Sequence, residues 1–216
     1  MIKVVLVFII SFSFCSCGLD TFIYFEAPKR LHNDYDSPQD VNHFLAFETA
    51  ELSNASVSNY LKGFEVYYRI YEKKSDLLSD NYSINSYNES NPGESATYLL
   101  ETKKYMPLSI STYSVNERPL IKKHSTNRKI KIRLVGYSGE DSGFYVNNVK
   151  IAIPIRSNSK KFTKDEINNK NEDVYSSTEN TDAWYVNMYV ATYGTDQNLK
   201  PIYSSLEFIG FLEIQK

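Results

Sequence analysis

Cysteine is almost missing: the 216 residues hold two, Cys15 and Cys17, both near the start. If the chain is cut ahead of Cys17, one thiol remains and no intrachain disulfide can form. The remainder must then be held together by its hydrophobic core. Histidine is scarce as well. His32, His43 and His124 stand singly, with no His-x-x-x-His and no paired cysteine to close a site, so neither a metal nor a cofactor is expected. There is no Gly-x-Ser-x-Gly elbow and no glycine-rich phosphate loop; Ser138-Gly139-Glu140-Asp141-Ser142-Gly143 has the composition of a hairpin turn. Charge of one sign is lacking too, with 24 basic against 26 acidic residues. That balance argues against nucleic acid or an anionic membrane surface as the main partner.

What the chain does have is a short apolar start. One cation at Lys3 is followed by unbroken apolar residues from Val4 to Ile10, extended by Phe12 and Phe14, and then by Cys15-Ser16-Cys17. This is the n-region and h-region pattern of an export signal. At about 1.5 Å per residue, Val4 to Ser16 makes a helix of roughly 20 Å, short of the roughly 30 Å hydrocarbon core. The segment resembles the signal peptide and lipobox of bacterial lipoprotein precursors, in a relaxed, spirochaete-like form with Phe14 and Cys15 ahead of Ser16-Cys17. The resemblance implies cleavage after Ser16, acylation of Cys17 and attachment to a membrane through the lipid. It places the protein in the bacterial cell envelope, in the periplasm or at the cell surface, on the inner or the outer membrane. Two or more acyl chains hold stably where a single one holds marginally.

Residues 1–16 are thus expected to be signal, 17–30 a lipidated tether, and 31–216 one domain. Eighteen tyrosines and twelve phenylalanines, with only eight glycines and seven prolines, describe a strand-prone chain. Period-two alternation marks strands at 64–71, 129–135, 184–190 and 206–214, with further candidates at 21–26, 44–48, 108–113 and 149–155. On Lys129 to Val135 the apolar Ile130, Ile132 and Leu134 face inward and three cations face outward. A helical insertion is expected at about 72–105, broken at Asn91-Pro92-Gly93, and a long polar solvated loop at about 157–181 with one turn at 164–167.

The fold expected is mainly β, an antiparallel β-sandwich with a helical insertion. Tyr60-Leu61-Lys62-Gly63-Phe64-Glu65-Val66-Tyr67-Tyr68-Arg69 resembles the third strand of a fibronectin type III or immunoglobulin-like domain. Tyr185 to Ala191, followed by Tyr193-Gly194-Thr195-Asp196, is similar to its sixth strand and the loop after it. The chain departs from that family in the insertion, in the distance between the two strands and in lacking an early core tryptophan. A lipocalin-like barrel or another sandwich remains compatible with the pattern.

Two acidic clusters have oxygens a calcium ion could use: Asn33-Asp34-Tyr35-Asp36 with Asp40, and Glu172-Asp173 with Glu179 and Asp182. Neither has a full loop pattern, and solvated loops account for both. The outward face of strand 64–71 carries Tyr67, Arg69 and Tyr71, residue types enriched at binding hot spots. These three form either a contact patch or a second face filled beneath the helical insertion. The function expected is a membrane-anchored, noncatalytic lipoprotein with a binding or structural role toward a protein or glycan ligand. An envelope hydrolase acting on glycans and a scaffold subunit of an envelope complex are the alternatives.

Overall fold

Alternating apolar residues build two sheets that bury one face each against the other. A computed structural model describes residues 23–31, 43–112, 117–137, 139–177 and 181–216. The signal segment, Cys17, the cluster from Asn33 to Asp40, Ser138 and Glu179 lie outside the described residues.

The smaller sheet contains, in spatial order, β1 (Lys29–Arg30), β2 (Leu45–Glu48), β7 (Lys129–Arg133), β8 (Gly143–Val146) and β9 (Val149–Ala152), all antiparallel. The larger is built on the long central pair β3 (Leu61–Tyr71) and β12 (Ala183–Thr195). Along the far side of β3 lie β6 (Ile121–Lys122), β4 (Met106–Pro107) and β11 (Val174–Tyr175); along the far side of β12 lie β14 (Glu207–Gln215) and β13 (Pro201–Tyr203). A separate two-stranded ribbon joins β5 (Ser109–Ile110) to β10 (Pro154–Ile155). All pairings are antiparallel except β11 on β3, which is parallel.

One core lies between the sheets. Phe64, Val66, Tyr68 and Ile70 of β3 and Val186, Met188 and Val190 of β12 meet Leu45, Phe47, Ile130, Ile132 and Phe144 of the smaller sheet. Fully burying one such side chain contributes about 1.5–3 kcal/mol. The other face of β3 and β12 carries a second core under helical cover: Tyr67, Tyr71, Tyr189 and Ala191 pack with Leu77, Ile84, Ala96, Leu99 and Tyr105. That cover is α1 (Lys74–Ser90), then a 3-10 turn at Pro92–Glu94, an α-turn at Ser95–Thr97 and a π-helical turn at Tyr98–Thr102. It is the expected insertion. Helix α1 buries Leu77, Asn81 and Ile84 on one face, and its otherwise polar surface explains why periodicity there is weak.

Several expectations are corrected. Residues 23–26 are not strand, and strand geometry begins at Lys29. Phe25 is buried, and the Glu26 carbonyl accepts hydrogen bonds from Thr192 Oγ1 at 2.6 Å and Asn54 Nδ2 at 3.0 Å. The chain therefore joins the body at Phe25, ahead of the boundary at 31. The segment 157–177 is no solvated loop: Phe162 and Ile167 enter the core and β11 joins the larger sheet. At 163–167 the chain makes the single turn expected there, the Glu166 and Ile167 N–H groups both donating to the Thr163 carbonyl.

Candidate functional site

Strand β3 positions the three residues singled out from sequence. Tyr67 and Tyr71 are fully buried, so the tyrosine contact patch is not a surface; the helical segment fills that face. The Tyr71 hydroxyl donates to Asp80 Oδ2 at 2.8 Å and lies 3.2 Å from the Tyr105 hydroxyl. Asn187 Nδ2 donates to the Tyr105 hydroxyl and to Asn81 Oδ1, which also accepts from Tyr189. Burial pushes the Tyr67, Tyr71, Tyr105 and Tyr189 hydroxyls above the ordinary phenol value, so all four stay protonated near neutral pH. Arg69 is half-buried. Its guanidinium donates to the Lys103 carbonyl and lies 5.1 Å from the ring of Tyr175, which is exposed.

A second polar cluster centres on Glu65, which sequence reasoning missed. Its side chain shares the helical face with Tyr67, two residues on. Glu65 is only 2% exposed. Its Oε2 accepts from the Tyr67 hydroxyl at 2.7 Å and from Arg118 Nη1 at 3.1 Å, while Oε1 has no hydrogen-bond partner. Burial raises the Glu65 carboxyl above its usual range, against the lowering pull of Arg118 and of Tyr67. The nearby Tyr203 hydroxyl is pushed up to about 12, by burial first and by Glu65 second. The hollow at Glu65 measures about 10 Å³, the space of one water, and takes no substrate.

Glycoside hydrolysis needs two carboxylates facing one space. The other buried-side glutamate with a raised carboxyl is Glu207, shifted by burial. It lies opposite Val190, whereas Glu65 lies opposite Ala191. Val190 packs between the sheets and Ala191 under the helices, so the two carboxylates belong to opposite faces and form no dyad.

A third cluster is structural. Arg156, fully buried, donates from Nε to Asp173 Oδ2 at 2.7 Å and from Nη2 to Asp173 Oδ1. Its remaining donors reach the Glu166 carbonyl at 2.8 Å and Asn171 Oδ1 at 2.7 Å. Tyr68 also donates to Asp173 Oδ2, at 2.7 Å. Both oxygens of Asp173 are thus engaged, which removes it from the acidic cluster with Glu172 and Asp182. No group of three His, Cys, Asp or Glu among the described residues could hold a metal ion.

Open depressions among the described residues include these two. One, of about 400 Å³, is lined by His43, Tyr137, Thr163, Lys164, Glu213, Ile214 and their neighbours. The His43 and Tyr137 rings lie 3.7 Å apart there. The other, about 230 Å³, lies on the outward face of the smaller sheet between Leu31, Phe44, Ala46, Lys129, Lys131 and Asn148. His124 is exposed and bonds only within its own turn, to Thr126. No helix among the described residues is long and apolar enough to cross a membrane. No family model, curated protein or solved structure matches the chain.

Proposed function

We propose that this chain is a lipid-anchored, noncatalytic binding protein of the bacterial cell envelope. The observation that carries the reading is the run from Lys3 through Val4–Ile10 to Ser16-Cys17, an export signal ending in a cysteine that can take acyl chains. The buried polar clusters are consistent with a binding role. Arg156–Asp173 and Tyr71–Asp80–Tyr105 spend their donors and acceptors on holding the body together, and the hollow at Glu65 is too small for substrate. On the outward face of the smaller sheet, open space lies beside charges of one sign, Lys129 and Lys131.

The body reads as a relative of the immunoglobulin-like sandwich in one sheet. The neighbours β3, β12 and β14 would correspond to the third, sixth and seventh strands of such a domain, which supports that reading. The other sheet departs from that family. There the strand beside the second is reached after its own outer neighbour in the chain, whereas here β7 comes first and β8 and β9 follow as a meander.

The test is phase partition of the full chain expressed in a bacterium. Parent protein is expected in the detergent phase and Cys17→Ser in the aqueous phase. A Cys17→Ser variant that partitions with detergent as the parent does overturns the anchor.

A further inference from the structure

The outward face of the smaller sheet carries two lysines, Lys129 and Lys131, that make no ion pair among the described residues. Ile130 and Ile132 of β7 are buried between the sheets, so Lys129, Lys131 and Arg133 alternate onto the opposite side. The register places Ala46 beside Lys131, and Tyr145 beside Lys131 on the other flank. The Lys131 ammonium sits between two rings, 4.4 Å from the centre of Tyr145 and 5.4 Å from that of Phe44. Arg133 lies 5.9 Å from the same Phe44 ring.

The pairing of these cations is incomplete. Neither Lys129 nor Lys131 makes an ion pair among the described residues. Arg133 is only 3% exposed; its Nη2 donates to Glu140, but Nε and Nη1 have no hydrogen-bond partner. Glu48, beside Lys129 in the register, is the acidic residue at the end of the row. Lys150 faces Tyr145 from β9 and adds a further cation.

We infer that this face binds an acidic polysaccharide, its carboxylate or sulfate groups on Lys129, Lys131 and Lys150 and a sugar ring in the groove beside Phe44 and Asn148. The inference rests on the binding role proposed above. Lys129 and Lys131 stand about 6.6 Å apart along β7, and Lys150 lies two strands, about 10 Å, across the sheet from Lys131. Charges spread over that distance suit an extended polyanion better than a single small ion. Phe44 and Tyr145 are half-buried beside Lys131 and do not project as bilayer anchors do, which favours a glycan over a lipid surface. The tight turn Asn147-Asn148, with both residues at positive φ, sets Asn148 at the rim, where its exposed amide can reach sugar hydroxyls.

The test titrates the full chain, reconstituted through its anchor in phosphatidylcholine vesicles without detergent, with heparin, a uronate polymer, neutral dextran and phosphatidylglycerol vesicles. Expected are binding to the two acidic polymers that weakens with salt, none to dextran, and about a tenfold loss in Lys129→Ala/Lys131→Ala. Lys164→Ala/Lys170→Ala, which removes as much charge from the loop beyond β10, should bind as the parent does. Equal loss in both variants, no loss in the first, or binding to vesicles but not to either polymer overturns the inference. Release of reducing ends from a bound polymer would instead contradict the noncatalytic reading and leave the groove standing.

Discussion

At the scale of single residues, the decisive quantity is how completely each buried polar group is paired. Arg156 and Asp173 satisfy one another, and removing one leaves a buried charge alone. Arg156→Met should therefore cost about 3–5 kcal/mol in urea unfolding, while Arg156→Met/Asp173→Leu should recover most of that loss. A double variant as unstable as the single would contradict the pairing. Glu65 behaves differently, because burial raises its carboxyl above the value of about 4.5 expected when unfolded. The folded chain holds that proton to higher pH than the unfolded chain does. The stability Glu65 contributes is complete below about pH 4.5, falls as pH rises through the raised value and stays reduced above it. Glu65→Gln should flatten this decline in a series of urea melts from pH 4 to 8; an unchanged slope would show that Glu65 does not carry it. Neither cluster is legible in sequence, since Arg156 and Asp173 are separated by a polar stretch that resembles a solvated loop, and Glu65 occupies an alternating position that normally faces water.

At the scale of elements, alternation made the long strands visible. Strands β3, β7, β12 and β14 match the segments expected at 64–71, 129–135, 184–190 and 206–214, give or take a few residues at their ends. The two-residue strands were beyond its reach: β11 has no room for a pattern, and its parallel pairing depends on a crossover from distant chain. The tyrosines of β3 show why a face cannot be assigned to water from periodicity alone. Tyr67 and Tyr71 sit on the half of the alternation that looks solvent-facing, and α1 covers them because its few apolar residues, Leu77 and Ile84, recur on one side. Large aromatic truncations in a core cost about 3–5 kcal/mol each, so Tyr67→Ala/Tyr71→Ala should lose cooperative thermal unfolding. A double variant that melts as the parent does would mean the helical cover does not depend on those rings.

At the scale of the whole molecule, the body has two cores on one sheet, and the lipid attachment proposed at Cys17 would tether that body through a single sulfur. The larger sheet is covered on both faces, by the smaller sheet and by the helical segment, so its side chains serve packing. Among the described residues nothing packs over the outward face of the smaller sheet, and that face has the cationic groove. The pattern of outward cations on β7 was legible in the sequence as an alternation. Its significance as a site was not, because Phe44 comes from far back in the chain and only the strand register sets Tyr145 beside Lys131. The attachment claim is tested most directly by mass spectrometry of the protein purified from bacterial membranes. The account predicts an N-terminal peptide that begins at Cys17 and carries both a diacylglyceryl thioether and an N-acyl group. A chain that keeps residues 1–16, or one that begins elsewhere with an unmodified Cys17, would contradict it.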